Sequence, residues 1–315
     1  MTILQYSLFF AIPVIVILGI ILYYKRIYSI DVMLPSKCLM DEDCIIDVVR
    51  VLQRIITRHS KKVKLNMREV KNISYEAYMV IMAQGEKAFY KGKTVYLKSV
   101  PFGRKEVVNV IFGKNKNHTT YHNYTKLEKT DNTPFLQSSK INPKIMSRIE
   151  LDLKRMKIID YYEFNTLMTE LLGNAIEHGI QERNINWWMY HFRDYRTNTM
   201  HIVFVDMGIG IINSYKKAGL PKQYTNLSDE EIIMYALEGK LGSSTKEPNR
   251  GRGMPQIKHM IEKKWISDFV LITNTVSLRY INGQFKVKRH PNFVGTYYSW
   301  TINKENYLTW KEQSI

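Results

Sequence analysis

Hydrophobic and polar positions change period several times along this chain, and each change marks an element. Residues 3–24, ILQYSLFFAIPVIVILGIILYY, form an apolar run without a single charge. As a helix rising about 1.5 Å per residue, such a run approaches the roughly 30 Å hydrocarbon core of a bilayer. Over 43–59 the pattern turns helical, with Ile45, Val48, Val49, Leu52, Ile55 and Ile56 at three- and four-residue spacing. VKLNM at 63–67 alternates as a strand, and Ser74 stands where it would cap a helix over about 75–90. Gly92 breaks that helix, and TVYLKSV at 94–100 reads as a strand again. Strand, helix and strand at this spacing predict a parallel βαβ unit.

Residues 112–143 are polar, rich in Asn and Thr and poor in core positions, and read as a linker or surface excursion. A helical pattern resumes at 144–157. The strongest helix covers 161–178, where Phe164, Leu167, Met168, Leu171, Leu172 and Ile176 supply the apolar side. Its other side carries Glu170 and Asn174 four residues apart, with Glu177 and His178 nearly in line and Gly179 as a natural stop. MHIVFVD at 200–206 is a compact strand ending on Asp206. Residues 212–250 read as a long polar insertion with one internal helix, DEEIIMYALEG, after which a helix starts near Gly251 and Gly253. WISDFVLITNTVSLRY, an Asn282-Gly283 hairpin turn, QFKVKR and VGTYYSWTI then supply further strands. The expectation is an α/β protein with a mixed sheet on one side and helices on the other.

Composition narrows the function classes. At 315 residues the chain is long enough for two ordinary domains. Its formal charge of +17 would attract anionic lipid or phosphates, but no recognised nucleic-acid module accompanies the charge, so no specific nucleic acid is expected. Two cysteines, Cys38 and Cys44, cannot build a cysteine-rich scaffold or a thiolate zinc site, and reduced thiols are expected. His118 and His122 sit in a segment without helical pattern and read as solvated. Lys25 and Arg26 directly follow the apolar run, which places the body on the cytoplasmic side of a single-pass membrane protein. A cleaved signal peptide would need a basic start, which MTILQYS lacks, and a small-residue cleavage site, which YYKRIYS does not offer.

The candidate chemistry lies in the second half. Gly208 and Gly210 beside Asp206 permit tight backbone geometry and close approach of a ligand, and the Asp206 carboxylate can accept the exocyclic amine of adenine. Gly251 and Gly253 can present backbone N–H groups to phosphate at a helix start, with Lys246, Arg250 and Arg252 as nearby cations. GKLGSSTK is not a Walker loop, because its Gly and Lys stand in the wrong order and no buried strand directly precedes it.

Over roughly 145–303 these segments together resemble the GHKL family of Bergerat-fold, histidine-kinase-like ATPases. Glu170, Asn174 and His178 match its N box, Asp206, Gly208 and Gly210 the first glycine box, Gly251 and Gly253 the second, and Gly295-Thr296 the late Gly-Thr element. The resemblance implies a two-layer α/β sandwich that binds ATP with Mg²⁺. It implies Asn174 as the Mg²⁺ ligand, Glu170 as the group that orients or deprotonates the attacking water, Ser244 and Thr245 as phosphate contacts in a lid, and Thr296 near the adenine. LNMREVKNISYEAYMVIM at 65–82 resembles a STAS-like domain, with Tyr75 where the regulatory members carry a phosphorylatable serine. The chain then divides into a transmembrane anchor at 1–28, a STAS-like α/β domain at 29–111, a linker at 112–143, a GHKL-type ATP-binding domain at 144–305 and a C-terminal tail at 306–315. The implied activity is a Mg-dependent ATPase or a nucleotide-controlled switch. An anti-sigma-type serine/threonine kinase acting on a STAS-like partner, and a non-hydrolysing ATP-binding scaffold, are the alternatives. A membrane or cytoplasmic protein and a second copy of the chain are the expected partners.

Overall fold

The computed structural model describes residues 14–19, 21, 29–41, 44–57, 60–99, 135–138, 143–179, 187–242 and 253–314. Most of the apolar run at 3–24 lies outside them, and among the described residues no helix is long and apolar enough to cross a membrane.

The first elements are β1 (Ser29–Met33), the two-residue β2 (Lys37–Cys38), α1 (Ile45–Thr57), β3 (Lys62–Asn66), the two-residue β4 (Asn72–Ile73), α2 (Tyr75–Tyr90) and β5 (Thr94–Lys98). Strands β1, β3 and β5 pair in parallel in that order. Ser74 caps α2 by accepting a hydrogen bond from the Ala77 N–H at 3.2 Å, and Gly92 turns the chain out of the helix with φ +75°. Right-handed crossovers progressing in one direction put both helices on the same face of the sheet. Val32, Val63, Leu65 and Val95 are buried there. The opposite face carries Asp31, Met33, Lys62, Lys64 and Tyr96 at least partly exposed.

The second set comprises β6 (Phe135–Ser138), α3 (Pro143–Arg155), α4 (Tyr162–Gly179), β7 (Trp187–Asp194), β8 (Thr199–Asp206), α5 (Ile211–Ala218), α6 (Asp229–Leu237), α7 (Gly253–Glu262), β9 (Ser267–Ile281), β10 (Gln284–Ile302) and α8 (Lys304–Gln313). Its five strands run in the order β6-β7-β8-β10-β9, every described pair antiparallel. The sheet is therefore not the mixed one expected. Two tight hairpins account for much of this. Asn282 and Gly283 both take positive φ, as a type I′ turn requires, and join β9 to β10. Tyr195–Asn198 joins β7 to β8, with the Asp194 carboxylate accepting from the Arg196 N–H at 2.9 Å and the Thr197 hydroxyl at 3.0 Å.

Strand parity shows how the layers stack. One face of β7, β8 and β10 presents Met189, Phe204, Tyr298 and Trp300 to the core under α3 to α8. The other face presents Trp188, Val203, Val205 and Tyr297 to a core continuous with α1, α2 and the parallel sheet. Two sheets and two helical layers thus alternate: the five-stranded sheet with α3 to α8 forms two of the layers, and the smaller α/β unit of the parallel sheet with α1 and α2 adds the other two. The central layer explains α2: residues 77–88 are buried on every side, as befits a helix enclosed between sheets.

Four local expectations change. Phe135–Ser138, placed in the linker, is an edge strand paired with β7. Residues 211–242 are not a polar insertion, because Ile212, Ile232, Ile233, Ala236 and Leu237 bury two helices against the sheet. Helix α6 is held by a Ser228–Glu231 capping box and by an ion pair of Asp229 with Lys216 at 2.5 Å. The tail at 306–315 is mostly helix α8, capped by Asn303 and docked through buried Tyr307 and Trp310. QFKVKR and VGTYYSWTI belong to the single strand β10, whose register against β9 shifts between Arg289 and Phe293 and again between Phe293 and Thr296.

Candidate functional site

The floor of the site is a polar row at one end of an apolar sheet face. Thr296 of β10 pairs with Asp206 of β8 on one side and with Thr273 of β9 on the other. The neighbouring row on the same face is Phe204, Tyr298 and Leu271, all buried. Alternation of side chains therefore turns Asp206, Thr296 and Thr273 toward the helical layer that holds α4 and α7. Thr296 is 3% exposed and Thr273 is 0% exposed. Burial, and then the nearby Asp206 carboxylate, raise the Tyr298 phenol above its ordinary range, so it stays neutral beside this floor.

Two backbone segments frame the row. After β8, the Asp206 Oδ1 accepts a hydrogen bond from the Gly208 N–H at 2.8 Å, closing a tight turn. Gly210 then adopts φ +82°, and a Cβ there would lie 2.5 Å from the Asn274 amide oxygen. On β10, Gly295 has φ +108° and passes so close to Asp206 that a Cβ would overlap its carbonyl oxygen. Glycine is needed at both positions for conformation and for space.

Thr273 and Asn274 tie these segments together. The Asn274 Oδ1 accepts from the N–H groups of Ile212 at 3.0 Å and Asn213 at 3.2 Å, and its Nδ2 donates to the Ile209 carbonyl at 2.8 Å. Thr273 Oγ1 accepts from the Ile211 N–H at 2.9 Å and donates to the Gly295 carbonyl at 3.3 Å. The first turn of α5 is thus capped by side chains from β9. Asn274 itself sits at φ +50° beside the register shift in β9 and β10, a conformation Asn tolerates better than most residues. Asn274→Ala should destabilise the protein by about 2 kcal/mol, because two helix-start N–H groups and one carbonyl lose their partner together. Urea unfolding of the two proteins measures this.

The second cluster lies in the helical layer. Leu167, Met168, Leu171, Leu172 and Ala175 of α4 face the core, which leaves Glu170 half-buried and Asn174 exposed. Gly253, the first residue of α7, packs directly against them. A Cβ on it would lie 3.4 Å from the Asn174 Nδ2 and 3.7 Å from the Glu170 Oε2. A carboxylate and a side-chain amide therefore meet the start of a ten-residue helix.

The structure thus gathers Asp206, Gly208, Gly210 and Thr296 in one group and Glu170, Asn174 and Gly253 in another. Ser244, Thr245, Lys246, Arg250, Gly251 and Arg252 lie outside the described residues, as does the segment read as a lid beyond Gly242. Sequence reading missed Thr273 and Asn274. Their signal was the polar run Thr-Asn-Thr inside the apolar strand VLITNTVSL, since buried polar groups in a strand need partners. No family model matches the chain, and no curated protein does.

Proposed function

We propose that this protein binds ATP with Mg²⁺ in a site of the GHKL type and hydrolyses it, the nucleotide acting as a conformational control on a membrane-tethered body. The supporting observation is that Gly253, at the start of α7, packs against both Glu170 and Asn174 of α4, bringing together two segments about eighty residues apart in the sequence. An amide oxygen, a carboxylate and helix-start N–H groups form the donor set that a Mg²⁺–phosphate group needs, because Mg²⁺ takes few protein oxygens and leaves its other positions to phosphate and water.

The chain's own groups divide the work. Asp206, held by the Gly208 N–H, offers carboxylate oxygen to the adenine amine, and Thr296 and Thr273 form a polar floor beside it. Asn174 holds the cation, and Glu170 orients a water or takes its proton. Bound Mg–ATP supplies the transferable phosphoryl group, and positioning does most of the remaining work. The apolar run at 3–24 tethers the body to the membrane from the cytoplasmic side, and the STAS-like reading of 29–111 makes that unit a docking or oligomerisation domain.

Asp206→Asn tests the base end. Asparagine keeps an oxygen for the Gly208 N–H but turns an N–H₂ group toward the adenine amine, which is itself a donor. Titration calorimetry with Mg–ATP should show affinity reduced roughly 30- to 100-fold, the worth of a charge-assisted hydrogen bond, with little change in melting temperature. A wild-type protein that takes up no adenine nucleotide would sink the proposal.

A further inference from the structure

Helix α2 carries three polar side chains in its most enclosed stretch. Gln84 is 0% exposed, Glu86 2% and Lys87 3%. Each reaches out of the N-terminal unit to the five-stranded sheet. Gln84 Nε2 donates to the Val294 carbonyl at 3.0 Å, the Trp188 indole N–H donates to Glu86 Oε2 at 2.9 Å, and the Lys87 ammonium donates to the Met207 carbonyl. Two of these contacts fall on the segments that frame the polar floor. Met207 follows Asp206 and opens the turn to Gly208 and Gly210, and Val294 precedes Gly295 and Thr296.

Packing alone does not call for these residues. The core around this stretch of α2 is built largely of apolar side chains, and burying a lysine there is expensive unless its ammonium is paired or hydrogen-bonded. Backbone carbonyls in irregular segments, by contrast, have no ladder partner of their own and need a donor. The donors come from the opposite face of the sheet to the one that bears Asp206 and Thr296. The two segments are therefore gripped from behind by α2 and from the front by Thr273 and Asn274.

We propose that Lys87 and Gln84 are positioning residues for the base end of the site, so that the placement of α2 within the N-terminal unit sets nucleotide affinity. The proposal rests on the ATP-binding reading for its ligand, but its mechanical part does not. Coupling of this kind is reciprocal: whatever shifts α2 changes the pocket, and filling the pocket steadies α2. A partner of the parallel sheet or of α1 would thereby act on a site that it never touches.

The test compares full-length wild type with Lys87→Met, Gln84→Leu and Glu86→Gln, the last altering a buried polar contact of the same helix that grips β7 instead. Hydrogen exchange is measured without nucleotide, and Mg–ATP affinity follows by calorimetry. Lys87→Met should speed exchange at 207–213 and Gln84→Leu at 293–297, each with an affinity loss of about tenfold, the usual size of one coupling contact. Glu86→Gln should leave both segments and the affinity unchanged, whatever it does to melting temperature. Unchanged exchange in folded Lys87→Met and Gln84→Leu overturns the proposal, as does the same response in Glu86→Gln. Should Lys87→Met not fold, Gln84→Leu decides alone. Faster exchange in a protein whose wild type binds no nucleotide supports the mechanical coupling and removes the ATP-binding reading.

Discussion

Glu170→Gln is expected to slow ATP hydrolysis by about 100-fold or more while leaving Mg–ATP affinity unchanged or slightly tighter. Glutamine keeps the length and planarity of the side chain, so the contact between α4 and the start of α7 survives. What disappears is the carboxylate that can accept a proton, a contribution of roughly 10²–10⁴ when the group acts as general base. Affinity should not fall, since a negative charge beside the phosphates opposes ground-state binding and its removal relieves that repulsion. Single-turnover release of ADP gives the chemical step, and calorimetry gives the binding. Undiminished turnover would remove Glu170 from the reaction. Wild-type binding without any hydrolysis would move the protein to the scaffold alternative.

Gly295→Ala should be the most damaging methyl addition among the described glycines. The residue needs φ +108°, where a Cβ is strained, and its Cβ would overlap the Asp206 carbonyl oxygen. The pair cannot simply slide apart, because Thr296 and Asp206 are in ladder register and Thr273 grips the Gly295 carbonyl. Strain and collision together should cost about 3–5 kcal/mol, lowering the melting temperature by about 10 °C. Gly283→Ala serves as the comparison. It too has a positive φ, +79°, but nothing lies within 4 Å of its Cβ position. Its loss should be about 1 kcal/mol, the conformational part alone. Equal melting temperatures for the two variants would show that the approach of β10 to Asp206 is not tight.

Local pattern made several elements legible. Leu167, Met168, Leu171 and Leu172 fall at helical spacing, and α4 follows them with Glu170 and Asn174 on its outer side. Asn282-Gly283 announces its hairpin because only a few residues take positive φ twice in succession. Ser74 and Gly92 bracket α2 for equally local reasons. Other features depend on partners distant in the chain. Residues 211–218 look polar along the sequence, yet Ile212 is buried and the start of the helix is capped by Asn274 of another strand. Trp310 marks a docked helix only once Tyr161 and Tyr307 are beside it. Lys87 gives no sign in sequence that its ammonium will find the carbonyl of Met207. Antiparallel pairing throughout the five-stranded sheet likewise depends on β10 inserting between β8 and β9, which no local period encodes.

The double-sided cover of the five-stranded sheet bears on how this chain can be cut. A fragment beginning at Pro143, after the polar stretch that invites a boundary, would leave Trp188, Val203, Val205 and Tyr297 facing water. An open apolar patch of this kind favours aggregation over solubility. The half that carries the proposed site therefore does not stand as a transplantable module, and grafting it onto another chain would need a replacement for α1 and α2.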